Sequence, residues 1–413
     1  MSDRIARVLL TLSLLGAASP LAIAATRGPV TDDLGVVEVP KGAPIQIGGY
    51  WILSGADTAD GEDQKRGVEI AIKDMGGMLD GHPIKLNAED SLCSAEGGQT
   101  AATKLAANPN TVIVIGPSCS SEATPGAPIL WAAGITSIGT SATAPSLTAA
   151  NRKPEYDGFV RTIYSDVDQG RADAKYLYDV LKARKVVTVH DGSPYAQQLT
   201  VEMAKNFEAL GGTISSREAI QPTDVDMHPL LTRIAAETPD AVYFPIFIGG
   251  TAQILRQAKD IPGLEKTALI GGSSVMSPDL IEAAGKAVVG FRITYPDIST
   301  DAMGKGYPKF VDEYKATFGE GPIGGAHSNA YDAATLAFKA IETVGKTDAD
   351  GNLYIGRKAL HDAVMTTKFD GIYGPVACDA HGECATFKPA VYQFVNADPK
   401  TYKIGENPKK IYP

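Results

Sequence analysis

An α/β protein of two lobes, each built on a parallel sheet with covering helices, is the fold this sequence predicts. Three observations predict it. Short apolar runs alternate with helical stretches along most of the chain, the pattern of strand–helix–strand units. The chain has 413 residues, more than the roughly 250–300 at which a single core stops growing. The alternation also comes in two series, which divide just past Arg161, and it gives way after Tyr295 to long helical stretches.

In the first series, following a Gly/Pro/Thr-containing leader over 26–44, residues 45–47 open a short strand. Residues 63–74 carry a helical pattern that stops at Gly76-Gly77, residues suited to a left-handed cap. A strand begins over 83–86, a helix covers 96–107, and 111–116 is apolar throughout, as a fully buried strand must be. A helix over 127–133 and a strand over 135–138 follow. The second series has a strand at 185–190, an amphipathic helix at 195–210 ended by Gly211-Gly212, a strand at 241–248, a helix at 251–259, and strands at 267–270 and 288–295. Helices are expected over 307–318, 328–344 and 357–366. A last strand pair flanks the loop from Cys378 to Cys384.

The N-terminus points to export. Arg4 and Arg7 precede an apolar run from Val8 to Leu15, and small residues including Ala22-Ile23-Ala24 follow, the order of a cleaved secretory signal. The run is interrupted by Thr11, Ser13, Gly16 and Ser19, and it falls short of the about 20 residues a spanning helix needs. The expectation is a signal over 1–24, a mature chain from about Ala25, and a location outside the cytoplasm. A net charge of −10 without a basic run argues against nucleic acid as a partner. The four cysteines, Cys93, Cys119, Cys378 and Cys384, are an even set, which in an exported chain suggests two disulfides.

The stretch from Val112 to Trp131, VIVIGPSCSSEATPGAPILW, carries the chemistry. A strand ends at Gly116 and a helix is about to begin, with Ser120 and Ser121 in the turn. Free N–H groups at a helix start, with hydroxyl donors beside them, hold an anion, most simply a carboxylate. The same serines also suit plain capping of their own helix. The following strand-end loop, GTSATAPSLT, repeats the pattern with Thr140, Ser141 and Thr143; alone it reads as a polar turn, and together the two loops suggest one pocket. Cys93 and Cys119 follow successive strands and fall at the same sheet end, where a disulfide is plausible. A serine nucleophile at Ser120 lacks the G-x-S-x-G elbow and an evident base. The segment from Cys378 to Cys384, CDAHGEC, offers zinc ligands if reduced, whereas export favours a disulfide-closed loop. No H-E-x-x-H pair or G-x-x-x-x-G-K-[ST] loop occurs, and no cofactor is implied.

Together IGPSCSS from Ile115, TSATAPSLT from Thr140, VHD from Val189 with Tyr195, and QILRQA from Gln253 resemble the leucine/isoleucine/valine-binding protein family, the periplasmic solute receptors of ABC importers. The resemblance runs from about Ile45 to Val395. It implies two lobes joined by three hinge strands with a ligand cleft between them, a Cys93–Cys119 bridge, and a separate membrane permease with ATPases as partners. A receptor that senses amides or acids is the alternative on the same fold. The lobes would comprise 44–163 plus 296–372 and 164–295 plus 373–413. By the resemblance, Ser120 and Thr143 hold a ligand carboxylate, Ser141 and Thr143 face an ammonium, and Tyr195 and Phe247 close from the second lobe; Phe247 stands where the family suggests tyrosine. Where amino-acid receptors carry an acid that pairs with the ammonium, this chain has Ser273 or Ser274, which puts an α-amino acid in question and opens the way to an aromatic or other organic acid. Trp51 is expected at the pocket, as part of an aromatic wall with Tyr195 and Phe247.

Overall fold

The structure, a computed structural model, describes residues 24–413; the signal expected over 1–24 lies outside them save for its last residue. Two sheets form the two lobes. The first has the order Met78–Leu79, His82–Asp90, Ile45–Trp51, Thr111–Ile115, Ser137–Gly139 and Phe159–Arg161, parallel except for its first pair. The second runs Thr213–Ala219, Lys185–His190, Ala241–Tyr243, Ala268–Gly271 and Arg292–Pro296 in parallel, then adds Pro389–Gln393 and Lys409–Tyr412 antiparallel.

Side chains alternate across a strand, and each sheet needs cover on both faces. In the first lobe Ile45, Ile47, Ile113 and Ile115 pack with Val68 and Ala71 of helix Thr58–Asp74 and Ala330, Ala334 and Ala337 of helix Ala326–Val344. Val114 packs on the opposite side with Ala101, Ala102 and Leu105 of helix Ala95–Ala107 and Leu130 of helix Ser120–Ala132. The second lobe buries one large cluster that includes Val187, Val242, Ile270 and Ile293 from its strands and Leu199, Met203 and Leu255 from its helices. The chain passes between lobes after Arg161, after Pro296 and before Pro389. These passages are tied together: Asp297 N donates to Lys388 O (2.7 Å), and Asn329 Nδ2 donates to Thr162 O (2.6 Å).

Several elements differ from the sequence-based expectation. The first long helix begins at Thr58 rather than 63, and the helix expected from 127 begins at Ser120 with Pro125 and Pro128 inside it. The strand expected over 241–248 ends at Tyr243, because Pro245 has no N–H to extend the ladder, and Phe247 becomes the N-cap of helix Ile248–Ala258. Helices Asp166–Lys175 and His228–Ala236 and strand Thr213–Ala219 were not foreseen, and part of the leader is ordered as strand Val36–Val39 against Leu353–Gly356. The strands flanking the Cys378–Cys384 loop do not pair with each other. Pro375–Ala377 pairs with Lys368–Asp370, whereas Pro389–Gln393 joins the second sheet. The loop itself stays on the first lobe, where Cys384 N donates to Arg161 O (2.9 Å), so the passage expected at 373 comes later in the chain.

Candidate functional site

The carboxyl ends of both sheets face each other across one cavity. Its empty volume, open solvent at the mouth included, is about 610 Å³. Ile52, Asp57, Asp60, Ser118, Cys119, Ser120, Ser141 and Thr143 line it from the first lobe, and Tyr195, Phe247, Ser273 and Ser274 from the second. Ile163, Tyr164, Tyr295, Pro296, Ala326 and Asn329 contribute from the passages between lobes and their flanks. The lobes are closed on one another: Ile248 N donates to Asp57 Oδ1 (3.4 Å), Ser146 N to Gln198 Oε1 (2.9 Å), and Gln198 Nε2 to Ser146 Oγ (2.9 Å).

Strand Thr111–Ile115 delivers the chain to helix Ser120–Ala132, with Cys119 as N-cap and bonded to Cys93. The two serines divide their duties. Ser121 Oγ donates to Cys93 O (2.7 Å) and so fixes the disulfide segment. Ser120 Oγ accepts from Ala144 N (3.0 Å), which couples the helix start to the Ser141–Thr143 loop and leaves the Ser120 proton free to donate. Plain capping of their own helix is therefore not what either hydroxyl does; Glu122 takes that part, its Oε2 accepting from Cys119 N (3.0 Å). Glu122 is fully buried, and desolvation pushes its carboxyl up to about 7 despite the N–H groups aimed at it. Thr140 turns away to donate to Gln64 Oε1 (2.6 Å).

The Ser141–Thr143 loop is held from behind by Arg161, whose side chain is fully buried. Its guanidinium donates through Nη1 to Ala142 O and Ala144 O (3.0 Å each), through Nη2 to Thr148 Oγ1 (2.7 Å) and Glu383 Oε1, and through Nε to Glu383 Oε2 (3.0 Å). All five donors of an arginine are thus used. Glu383 belongs to the Cys378–Cys384 loop, which is closed by a disulfide; its sulfurs are not free for a metal. The one close group of potential metal ligands among the described residues, Cys93, Cys119 and Glu122, also has its sulfurs bonded to each other.

On the second lobe, Tyr195 stands in the first turn of helix Pro194–Ala209, and its ring lies 5.8 Å from that of Phe247. Ser273 opens a short turn after strand Ala268–Gly271; its Oγ donates to Gln169 Oε1 (3.3 Å) and lies 3.4 Å from Tyr195 Oη. Ser120, Ser141, Thr143, Tyr195, Phe247 and Ser273 therefore meet at one cavity. Trp51 does not. It is fully buried on the core side of its strand, its ring folded over Gly49 and packed with Ile113 and Ile115, so the strand's alternation presents Ile52 to the cavity instead.

Residues not foreseen include Asp57 and Asp60, both in the first lobe. Burial pushes Asp57 up to about 6, opposed by the Ile248 N–H and reinforced by Asp279 and Asp191. Asp60 goes up to about 7 through burial and the nearby Asp63 and Asp57 carboxyls, opposed by the Gln64 amide, whose Nε2 donates to its Oδ2 (2.7 Å). The signal that could have placed them is an Asp-Thr pair one residue past a Gly turn, a helix start at a strand end.

A profile of the family described as periplasmic binding protein matches residues 44–398. A Leu/Ile/Val-binding protein of Citrobacter freundii is 29% identical over 352 residues, 85% of this chain and 90% of that protein. A leucine binding protein from Thermotoga maritima superimposes with a TM-score of 0.76 at 25% identity, covering 86% of this chain and 96% of the other. A solute binding protein of an ABC transporter from R. palustris in complex with benzoate shares the fold, with a TM-score of 0.72 at 21% identity over 89% of this chain and 96% of that one.

Proposed function

From the premise that the chain belongs to the periplasmic binding protein family, we propose that it captures a small carboxylate-bearing molecule between its lobes and delivers it to an ABC importer. In this reading the chain works outside the inner membrane after loss of its signal, and its partners are a permease and ATPases of that membrane. It acts by binding, as the curated relatives named for Leu, Ile and Val do, and not by catalysis. Among the described residues no histidine lines the cavity, so none of them stands beside Ser120 as such a base.

The observation that carries the proposal is the arrangement of donors. Ser120 at a helix start and Thr143 on the neighbouring loop face a closed cavity whose far wall is Tyr195 and Phe247. The helix N-terminus and hydroxyls favour a carboxylate, and the rings cover the body of the ligand once the lobes shut. Closure is a population shift, since contacts to both lobes exist only in the closed state.

Ser120→Ala tests it, measured by calorimetric titration on protein stripped of ligand by unfolding and refolding. The panel comprises leucine, phenylalanine, 3-phenylpropionate and benzoate. Loss of one hydrogen bond to a charged group is worth about 1.5–3 kcal/mol, an affinity loss of roughly 10–100-fold. Unchanged affinity for the best compound counts against the carboxylate subsite.

A further inference from the structure

Behind Thr143 lies a carboxyl that the fold buries without giving it a partner. Asp166 opens helix Asp166–Lys175, and its N–H donates to Thr143 O (3.0 Å), so the residue backs the loop that faces the cavity. Asp166, Gln169 and Asp173 share one face of that helix, and each is at most 1% exposed. The buried face of a covering helix is usually apolar; here it carries three polar side chains. Gln169 Oε1 accepts from Ser273 Oγ (3.3 Å), its Nε2 donates to Thr294 O (3.5 Å), and Asp173 Oδ2 accepts from Tyr243 Oη. Asp166 is the one member of this face with neither side-chain oxygen hydrogen-bonded to a described residue. Two ordinary uses of an acid at this place are already filled. Ser165 caps the helix, its Oγ accepting from Val167 N (3.3 Å). Arg161 spends its donors on Ala142 O, Ala144 O, Thr148 and Glu383. An ionised carboxylate buried without donors is very costly, so Asp166 holds its proton at neutral pH. Burial pushes its carboxyl up to about 8, against the Thr143 side chain and the Arg161 charge, and Asp173 and Glu383 add to the rise.

We propose that Asp166 is a positioning residue for Thr143: as a neutral acid it donates toward Thr143 Oγ1 and so turns the threonine's own proton into the cavity, where it meets the ligand carboxylate. The proposal rests on the carboxylate reading given above. A threonine hydroxyl has one proton to give and lone pairs to accept with, so a donor behind it decides which way the proton points. Ionised Asp166 can only accept. It would take the Thr143 proton for itself and leave lone pairs facing an anionic ligand. The two side chains do not meet in full hydrogen-bond geometry, and a single water between such groups passes the donation on in the same direction. Neutral Asp166 thus makes Thr143 select a carboxylate over the matching carboxamide, and the selection is lost when the proton leaves.

The groups facing Asp166 decide how binding responds to pH. They are Thr143 and Arg161 from the first lobe, Glu383 from the disulfide-closed loop, Asp173 on its own helix, and Tyr164, Tyr195 and Tyr243. Burial pushes all three tyrosines well above the range in which Asp166 titrates. Asp173, pushed up to about 7 by burial, gives up its proton first. A ligand anion binds better to the protonated form of Asp166, so affinity for it is level below about pH 7 and falls as pH rises through 8. One linked proton makes that fall roughly 10–30-fold between about pH 7 and about pH 9.5.

The test titrates leucine, phenylalanine, 3-phenylpropionate and benzoate, each beside its carboxamide, across this range on the stripped mature protein. Wild type is compared with Asp166→Asn, Asp166→Leu, Ser120→Ala and Thr143→Val, the last also combined with Asp166→Asn, and near-ultraviolet circular dichroism confirms each fold. Asparagine donates through its amide at every pH, and leucine at none. The expected result is an alkaline fall of roughly 10–30-fold for the best acid in wild type. Asp166→Leu loses about tenfold or more at neutral pH; Asp166→Asn regains most of that loss and shows no alkaline fall. Carboxamides gain on their acids as pH rises in wild type and not in Asp166→Asn, and in the Thr143→Val background the Asp166→Asn exchange leaves the profile unchanged. Ionisation of the ligand itself is common to all the proteins and cancels in their ratio. If Asp166→Asn keeps the alkaline fall, if both Asp166 variants lose binding equally, or if the exchange still acts without the Thr143 hydroxyl, the positioning role is overturned, while a loss in Ser120→Ala keeps the carboxylate reading. If carboxamides match their acids at neutral pH and Ser120→Ala is silent, or if no acid binds, the carboxylate reading falls and the role of Asp166 falls with it.

Discussion

Replacing Glu383 by Gln should destabilise the protein by about 2–3 kcal/mol, although the residue touches no part of the cavity. Its partner Arg161 has a fully buried side chain, and Glu383 itself is 24% exposed. Breaking a buried pair by removing one charge typically costs 3–5 kcal/mol, because the remaining ion is left uncompensated. Two features reduce that here. Solvent reaches Glu383, and Arg161 keeps Ala142 O, Ala144 O and Thr148 Oγ1 while Gln supplies one further acceptor. Urea unfolding at pH 7 gives the loss directly, and repeating it in about 0.5 M NaCl separates buried from exposed pairs, since salt screens only the latter effectively. Arg161→Met should cost more than Glu383→Gln, because it also strands two buried carbonyls. A Glu383→Gln loss below about 0.5 kcal/mol, or one that vanishes in salt, would show that the pair does not hold the loop in the way its geometry indicates.

Other outcomes follow from the same structure. Trp51→Phe should lower stability by about 1–3 kcal/mol, as core truncations do, and leave ligand affinity within twofold in the titrations above. Glu122→Gln should flatten the pH dependence of stability: a carboxyl raised from 4.5 to about 7 in the folded state favours the fold below pH 4.5, and that contribution disappears as pH rises through 7. The variant should therefore match wild type near pH 4 and exceed it by up to roughly 3 kcal/mol at pH 8.5, read from urea midpoints. Gln198→Ala removes two hydrogen bonds that join the lobes; the ligand-free protein should show a larger radius of gyration in small-angle scattering, and affinity should drop by about 5–30-fold through the added cost of closing, about 1–2 kcal/mol.

How much of this was legible in the sequence depends on where each residue stands in its element. Ser120, Ser141 and Thr143 sit directly behind apolar strands, so a strand-end rule finds them. Asp57 and Asp60 were hidden by the composition of their helix: Glu62, Asp63, Gln64, Lys65 and Arg66 form a polar run, and no periodic apolar residue announces the first turn. Trp51 misled because a one-residue shift along a strand moves a side chain to the opposite face, and the local sequence does not reveal which face carries the core. Tyr164, Tyr295 and Asn329 reach the cavity only because the chain passes between lobes there, a tertiary fact with no local motif. The docking of Glu383 on Arg161 spans 222 positions and is equally silent in the sequence.

The small ring closed by Cys378 and Cys384 has a sequence separation of 6 and carries Glu383 on its rim. Cross-linking so short a segment removes on the order of 2 kcal/mol of conformational freedom from the unfolded chain. That contribution goes to the loop whose glutamate completes the shell of Arg161, and Arg161 in turn sets the backbone beside Thr143. Thiol oxidation and assembly of the ligand pocket are thereby linked. Material made under reducing conditions would carry a slack rear wall to its pocket, and recombinant protein for binding work should be directed to an oxidising compartment or refolded with a thiol–disulfide buffer before its ligand preference is judged.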